Sequence, residues 1–431
     1  MKMTNNNSSS QSEIAYKTRD LFKIRDFRML LSGQAISDFG DSMTHLAVLL
    51  LINELTGSTT AMASMAIAIA LPRLIFGLLS GVYIDRLDRK KIMIISDLLR
   101  AIFVLGFIVV DSPEEIWILY VIGFIQGSVG TFFTPARSAI LPSLIPRKGL
   151  LAANSISQTV MIISNLIGTG IAGVLIGILS GYQWIFLIDA ITFMLSMLFI
   201  LRIRYTFQQE KNLSDISPRL VINQLFEGLN IIGKSRPLVG SITAISISML
   251  GIGAVSVLLI PLVVNELQIS TAWFGLVETG QTAGYVISGI LIAGLAARFK
   301  PTNLISVGLI GVAAGIALTS AAPNIWFVII SLFITTLFIP PISASAQTIA
   351  QTAVEDHLRG RTSAATSTFT TTANLISMAA AGILADRVGV RQVFLISSAM
   401  ILLAAFVSII LFRGIKTFQL DKPETIESIS D

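Results

Sequence analysis

The sequence predicts an all-α integral membrane protein with twelve transmembrane helices in two six-helix bundles. The first observation is compositional: 53% of the 431 residues are hydrophobic and 13% are charged, whereas soluble globular proteins carry about 25% charged residues. The second is that apolar runs of roughly 20 residues, long enough to cross a bilayer, recur along the chain. The third is that lysines and arginines fall on alternate connections between these runs.

The apolar runs between charged residues and helix breakers place the spans in order. Six form an N-terminal bundle over residues 29–201, and six form a C-terminal bundle over residues 239–412. The longest polar stretch of the chain joins the two bundles. The twelve predicted spans are 29–53, 61–84, 92–110, 116–136, 151–178, 183–201, 239–264, 272–296, 303–321, 325–351, 362–385 and 392–412.

The basic residues predict the orientation of these spans. Of the 30 lysines and arginines, 26 lie on the side that holds both tails, residues 1–28 and 413–431, and the central loop. The positive-inside rule therefore places both termini in the cytoplasm of a bacterial cell, with the chain crossing the plasma (inner) membrane. The remaining four are Arg73 and Arg100, within spans, and Arg387 and Arg391, which are exceptions in the last external connection, "GILADRVGVRQ".

The central loop, residues 202–238, contains one further predicted helix. Phe226, Leu229 and Ile232 recur at helical spacing in a polar background. This pattern predicts an amphipathic helix on the inner membrane surface. The overlapping "GLNIIGKS" matches a phosphate-binding loop, but that loop needs a preceding strand, and the spacing here is helical. We therefore expect no nucleotide as a partner.

The residue inventory excludes several kinds of chemistry. With no cysteine and two histidines, the chain offers no disulfide, no thiolate cluster and no histidine-rich metal site. We expect no cofactor and no metal, and the absence of a nucleophile–base set predicts no enzymatic activity. The basic residues are explained by topology, so nucleic acid is not an expected partner.

The connection after the second span carries the most particular motif, "GVYIDRLDRKK". It resembles the Gly-x-x-x-Asp-Arg-x-Gly-Arg-Lys signature of the major facilitator superfamily, with Asp88 in place of the second glycine. The resemblance implies the two-bundle fold of that superfamily and a gating role for this loop. The residues that match are Gly81, Asp85, Arg86, Arg89 and Lys90.

Other stretches resemble one branch of that superfamily. "FFTPARSAILPSLIPRKGLLAANSISQ" and "RGRTSAAT" are similar to segments of macrolide-efflux proteins and of enterobactin-type siderophore exporters. The fourth span departs from many proton-coupled members, because Gln126 and Gly127 are not preceded by an arginine. Asp97 and Arg100, one turn apart, are expected near the inner surface, where they would brace the loop signature.

The first span carries the charges that most need an explanation. Gln34, Asp38, Asp41 and His45 are spaced by four, three and four residues and share one helix stripe. Asp38 lies ~15 Å and Arg73 ~18 Å from the same interface at 1.5 Å per residue, near the middle of a core about 30 Å thick.

Two interpretations of these charges stay open. An isolated charge at that depth costs at least about 2.5–3.5 kcal/mol, which favours pairing or an aqueous cavity. Asp38 and Arg73 would then form a fixed ion pair that holds two helices together. Alternatively, a carboxylate, with Asp41 preferred, is protonated and deprotonated during transport, since two acids that share one arginine favour protonation of the less compensated acid. His45 either packs as a polar residue or joins a proton relay.

The eighth span adds Glu278 and Gln281, one turn apart. They are candidates for a second coupling group or for substrate binding, and Glu278 otherwise faces an outer vestibule. Together with Gln126 and the charges of the first two spans, they would line a central cavity between the two bundles, where such transporters bind their substrates.

The resulting hypothesis is a secondary active exporter of small amphipathic molecules, either a drug such as a macrolide or a siderophore, driven by proton antiport. Its expected partners are the small-molecule substrate, protons and the lipid bilayer, and it is expected to be a monomer. A proton-coupled importer and a lipid-related carrier of the same fold remain alternatives within transport. A membrane sensor that transports nothing is the alternative of another class.

Overall fold

The computed structural model describes residues 18–179, 181–205, 218–355 and 358–413, and this part of the chain contains helices and no strand. The α-helices are α1 Thr18–Leu21, α2 Arg25–Thr56, α3 Thr59–Arg86, α4 Arg89–Val104, α5 Ile116–Leu144, α6 Leu150–Ile178, α7 Gln183–Leu201, α8 Pro218–Lys234, α9 Arg236–Ile260, α10 Phe274–Arg298, α11 Pro301–Ser320, α12 Ile325–Leu337, α13 Ile339–Ala353, α14 Arg359–Val388 and α15 Val390–Phe412.

Each predicted span coincides with a helix or a pair of helices. By length and composition, 11 helices within the described residues are able to cross a membrane. The helix over the predicted eighth span, α10, carries Glu278 and Gln281 among threonines and glycines and is not one of them. The largest boundary difference is in the fourth span, predicted to end at residue 136, because α5 continues to Leu144 through Pro135 and Pro142.

Local backbone chemistry explains the irregular ends of these helices. The predicted tenth span is divided into α12 and α13 at Phe338, two residues before Pro340 and Pro341, because proline lacks the N–H that a continuous helix needs. For the same reason α9 passes into a π-helical turn at Pro261, which ends at Glu266.

The helices pack mainly within two halves of the chain. In the first half, α2 contacts α6 and α7, and α3 contacts α5; in the second half, α9 contacts α14 and α15, and α10 contacts α12. Between the halves, α3 contacts α14 and α6 contacts α10. We call the side where α2 and α4 begin and α3 and α5 end the basic end, and the other side the opposite end.

The opposite end is closed by close packing between the halves. Gly170 of α6 and Gly275 of α10 meet at backbone contact distance, as small residues allow between membrane helices. Asn53 and Asn265 exchange two amide hydrogen bonds of 2.9 Å across the same end. A Cβ on Gly275 would collide with the Gly170 backbone, so a side chain at this position would separate these helices.

The helix expected in the central loop is α8, and it packs on the second half. Ile232 is buried and Phe226 is exposed. Glu227 forms an ion pair with Arg361 at the start of α14, and Gly228 lies against the backbone carbonyl of Arg361. The helix therefore links the central loop to α14.

The orientation can be tested with single cysteines, because the natural chain has none. Glu114→Cys lies in the exposed connection between α4 and α5, and Lys300→Cys lies in the exposed connection between α10 and α11. An impermeant maleimide added to intact cells should label the first and spare the second, and permeabilised cells should label both. Labelling of Lys300→Cys in intact cells would reverse the predicted orientation.

Candidate functional site

A cavity of about 1140 Å³ lies between the two halves and receives side chains from both. Asp38 and Asp41 of α2 line one wall, and Glu278 and Gln281 of α10 line the facing wall. The lining extends toward the basic end as far as Arg137. Its volume lies just above the range of about 300–1,000 Å³ that is typical of cavities for drug-sized ligands.

The two walls differ in chemistry. The first half contributes most of the ionisable groups together with apolar side chains, whereas the second half contributes mainly apolar side chains, a few hydroxyl and amide groups and one carboxylate. The ionisable lining residues of the first half are Asp38, Asp41, His45, Arg73, Arg100, Arg137 and Asp189. The apolar lining residues of the second half include Val255, Leu259, Ile316, Leu332 and Ile339.

Arg100 of α4 is the centre of the charged wall. Its Nη1 donates to Asp41 Oδ2 at 3.0 Å, and its Nη2 donates to Asp97 Oδ1 at 2.8 Å. The side chain of Asp97 is 0% exposed and that of Arg100 is 7% exposed, whereas that of Asp41 is 47% exposed to the cavity. The guanidinium of Arg100 therefore compensates the negative charge of two carboxylates, the buried one of Asp97 and the cavity-exposed one of Asp41.

Aromatic rings hold this guanidinium in place. Its carbon lies 4.6 Å from the ring centroid of Phe133 and 4.4 Å from that of Phe193, and such cation–π contacts are strongest where the cation is desolvated. Gln126 Nε2 donates to the Arg100 backbone carbonyl at 3.1 Å. The predicted cavity residue Gln126 thus supports the helix that carries Arg100.

Asp189 of α7 is a second buried acid of this wall. Its Oδ2 accepts a hydrogen bond of 2.6 Å from Thr44, and its Oδ1 accepts one of 3.1 Å from Thr192. Gly40 leaves room for this acid, because a Cβ there would collide with Asp189 and Thr192. The sequence analysis left Asp189 out of the site, although a carboxylate in the apolar run "WIFLIDAITF" was a signal that could have found it.

The predicted ion pair between Asp38 and Arg73 is wrong. Arg73 is exposed in the cavity, without an ion-pair partner among the described residues. The principal favourable charge for Asp38 is that of Arg137. Depth along a helix does not specify which way a side chain points, and the continuation of α5 beyond residue 136 carries Arg137 into the cavity wall.

The expected position of Arg100 near the inner surface also needs correction. Because α4 begins at Arg89, eleven residues of helix raise Arg100 by about 16 Å. Its long side chain then reaches Asp41. Arg100 therefore belongs to the charged wall of the cavity, with Asp97 buried behind it, and its role is to pair with these acids and not to brace the loop signature.

The other predicted cavity residues separate into two groups. His45 is exposed to the cavity, and Gln281 Nε2 lies 3.5 Å from Glu278 Oε2 on the facing wall. Gln34 is buried outside the cavity lining, where its Nε2 donates to the Ser157 backbone carbonyl at 3.1 Å and joins α2 to α6.

The loop signature lies at the basic end, away from the cavity. Lys90 Nζ donates to the backbone carbonyls of Leu201 at 2.9 Å and Ile203 at 2.7 Å, which places a cation at the C-terminus of α7 as its dipole favours. Asp88 accepts from the backbone N–H of Lys90 and caps α4.

The remaining signature residues are only partly described. Arg86 and Arg89 are half-buried at the basic end. The surroundings of Gly81 and of the Asp85 side chain lie outside the described part of the structure. The proposed gating role of Asp85 therefore stays a prediction.

A family model described as transmembrane secretion effector matches residues 20–424. The chain is 30% identical to the MFS-type transporter YfiS of Bacillus subtilis, with 88% of this chain and 92% of that protein covered. It is 24% identical to macrolide efflux protein A of Streptococcus pyogenes (88% and 94% covered). It is 26% identical to the multidrug efflux pump Tap of Mycolicibacterium fortuitum (89% and 95% covered).

Solved structures share the fold at low sequence identity. A variant of the nucleoside transporter NupG superposes with a TM-score of 0.76 at 13% identity, covering 90% of this chain and 100% of that one. A bacterial homologue of the iron transporter ferroportin, in an inward-facing state, superposes with a TM-score of 0.70 at 18% identity, covering 90% and 98%.

The role of Arg100 can be tested by its removal. Arg100→Met leaves Asp97 buried without a cation, which should destabilise the protein by about 3–5 kcal/mol and lower the thermal unfolding midpoint in detergent. Arg100→Met combined with Asp97→Asn should recover part of the loss. Arg73→Met, which removes an exposed arginine, is the matched control and should unfold close to wild type. Equal midpoints for Arg100→Met and Arg73→Met would contradict this assignment.

Proposed function

The chain belongs to the transmembrane secretion effector family of MFS-type transporters, and on that premise we propose that it exports small amphipathic molecules by proton antiport. Membership makes it a multi-pass membrane transporter and not an enzyme. The proposal adds a direction, a substrate class and a coupling ion. Its main support is the cavity between the halves, whose ionisable groups lie mostly on one wall and whose facing wall is mainly apolar.

The direction is proposed from the relatives named as efflux proteins together with the predicted orientation. If the basic end is cytoplasmic, the cavity extends toward the cytoplasm while the opposite end is closed. This arrangement suits a transporter that takes its substrate from the inside. Both termini would then be cytoplasmic in a bacterial plasma membrane, and the transporter would act as a monomer whose halves rock about the cavity.

The substrate class follows from the walls and from the relatives. A molecule with an apolar face and a polar or cationic group matches a cavity with apolar side chains on one side and Glu278 among them. Macrolide efflux protein A and the multidrug pump Tap carry drug export in their names. A drug such as a macrolide is therefore the proposed substrate, and a siderophore exporter, a proton-coupled importer or a lipid-related carrier are the alternatives.

Asp41 is the proposed coupling group. It shares Arg100 with Asp97, and of the two acids only Asp41 is accessible to water in the cavity. Protonation of Asp41 leaves Arg100 paired with Asp97, so the wall keeps its cation compensated in both states. Substrate that enters beside Asp41 would favour its charged form and release the proton, with Asp38 and His45 as the nearest polar groups of the same helix stripe.

The loop signature is proposed to act when the basic end closes. Asp85 would then lie near the N-terminus of α14, around Thr362, where a carboxylate is favoured. Gly81, Arg86 and Arg89 would support the turn, and Lys90 already fixes α7 beside it.

Asp41→Asn tests the coupling assignment. Addition of substrate to purified wild-type protein in weakly buffered detergent should release protons, and Asp41→Asn should bind the same substrate without release. Asp38→Asn is the matched control from the same helix stripe and should release protons. If Asp41→Asn releases as many protons as the wild-type protein, the coupling group is another residue, and Glu278 is the next candidate.

Glu278→Gln tests the facing wall. The substitution keeps the size of the side chain and removes the carboxylate, so an amphipathic cation should bind about tenfold more weakly, the loss of one charge-assisted contact. An uncharged amphiphile of similar size should bind with unchanged affinity, and Gln281→Glu in the Glu278→Gln background should restore part of the cation affinity. Equal losses for both ligands would remove Glu278 from substrate recognition and leave it a packing role.

A further inference from the structure

The connection between α14 and α15 repeats the pattern of the loop signature at the opposite end of the molecule. "GILADRVGVRQ" has a glycine, an aspartate–arginine pair, a second glycine and a basic residue at the signature spacing. This is the connection whose arginines violate the charge distribution. The residues are Gly382, Asp386, Arg387, Gly389 and Arg391.

Asp386 binds the start of α3 across the boundary between the halves. Its Oδ1 accepts from the Thr59 backbone N–H at 2.9 Å and from the Thr59 hydroxyl at 2.6 Å. Its Oδ2 accepts from the Thr60 backbone N–H at 3.1 Å and from the Ser58 hydroxyl at 3.0 Å. The carboxylate thus satisfies two of the N–H groups that a helix start leaves unpaired, with its charge at the favourable end of the helix dipole.

The two glycines make this approach possible. A Cβ on Gly382 would collide with the Ala63 side chain and crowd the Thr59 backbone carbonyl. The single proton of the Thr59 hydroxyl is shared between Asp386 Oδ1 and the Gly382 carbonyl, which lies 2.7 Å away. Gly389 has a φ of 94°, which side-chain-bearing residues rarely adopt, and this residue ends α14 three residues after the aspartate.

Arg391 anchors the connection to its own half. Its Nε donates to Glu266 Oε2 at 2.7 Å, and its Nη1 donates to the Ser320 backbone carbonyl at 2.8 Å. The Ser320 hydroxyl donates back to the Arg391 carbonyl at 2.9 Å. These contacts join the start of α15 to the π-helical turn after α9 and to the end of α11. They fix the connection that carries Asp386 to the second half.

We propose that residues 382–392 form a latch that holds the opposite end closed, with Asp386 as the group that binds and releases α3. Each residue at a signature position, except the exposed Arg387, contributes a contact or a turn to this closure. The four hydrogen bonds of Asp386 connect the halves, so they must break whenever the opposite end opens. Water can replace them on both the carboxylate and the helix start, so the latch is strong enough to bias the two states and weak enough to open.

The latch proposal rests on the alternating access of the proposed function. It does not depend on the identity of the substrate or on proton coupling. The loop signature at the basic end would stabilise one state and this connection the other. Opening can therefore be measured without substrate, and a failure of the latch leaves the coupling experiment on Asp41 unaffected.

The test is a distance measurement across the opposite end. Spin labels on Glu114→Cys and Pro323→Cys, both exposed in connections at that end, report opening by pulsed electron paramagnetic resonance. Asp386→Ala should raise the ratio of long to short distances at least tenfold, because the loss of even one net hydrogen bond to a charged group is enough for that change. Asp386→Asn, which keeps one acceptor oxygen, should raise it less, and Arg387→Gln should leave it at the wild-type value.

A double variant separates the latch from general destabilisation. Thr59→Val removes a hydroxyl that donates to Asp386, so its effect on the ratio should be smaller in the Asp386→Ala background than in wild type. An Asp386→Ala distance distribution identical to wild type would overturn the proposal, and so would fully additive effects of the two substitutions.

Discussion

The shared guanidinium of Arg100 is the interaction on which the candidate site depends. A buried arginine needs a partner, and here the nearby acids outnumber it: Asp97 is sealed beneath it, Asp41 opens to the cavity, and Asp189 lies on the next helix. Because α2, α4 and α7 all bring carboxylates to this point, the charged wall also fixes how these helices face one another. The aromatic rings on the guanidinium restrict it to these partners.

The charged wall can take part in substrate binding because the facing wall, from the second half, is mainly apolar. Apolar side chains and Glu278 face the charges across the cavity, so a molecule between the walls meets both kinds of surface. The opposite end is closed by glycine contacts, by the exchange of amides between Asn53 and Asn265, and by Asp386 on α3. In a transporter such contacts must hold one end closed in one state and break when that end opens. Hydrogen bonds that water can replace have this property.

The sequence predicted the helices well, because hydropathy and basic residues report directly on membrane crossing. It also identified Asp41, His45 and Glu278 as cavity residues. It did not identify the correct ion-pair partners. Asp38 and Arg73 lie at a similar depth in the membrane, but depth does not determine on which face of a helix a side chain lies or how far it reaches. Arg100 was placed too close to the surface, and Arg137 was assigned to a connection because the fourth span was predicted to end at residue 136. Gln34 shares the stripe of Asp38, Asp41 and His45, but it is buried against α6 outside the cavity lining. The repeated signature at residues 382–392 was seen only as a charge exception, since its meaning depends on a contact with α3 that is remote in sequence.

The central claim is that a proton gradient drives substrate out of the cytoplasm through this cavity. The most direct test is accumulation of a radiolabelled macrolide by inside-out membrane vesicles, whose interior corresponds to the cell exterior. An acidic interior should drive accumulation, and a protonophore should abolish it. Accumulation that persists without the gradient, or that requires an alkaline interior, would contradict the account.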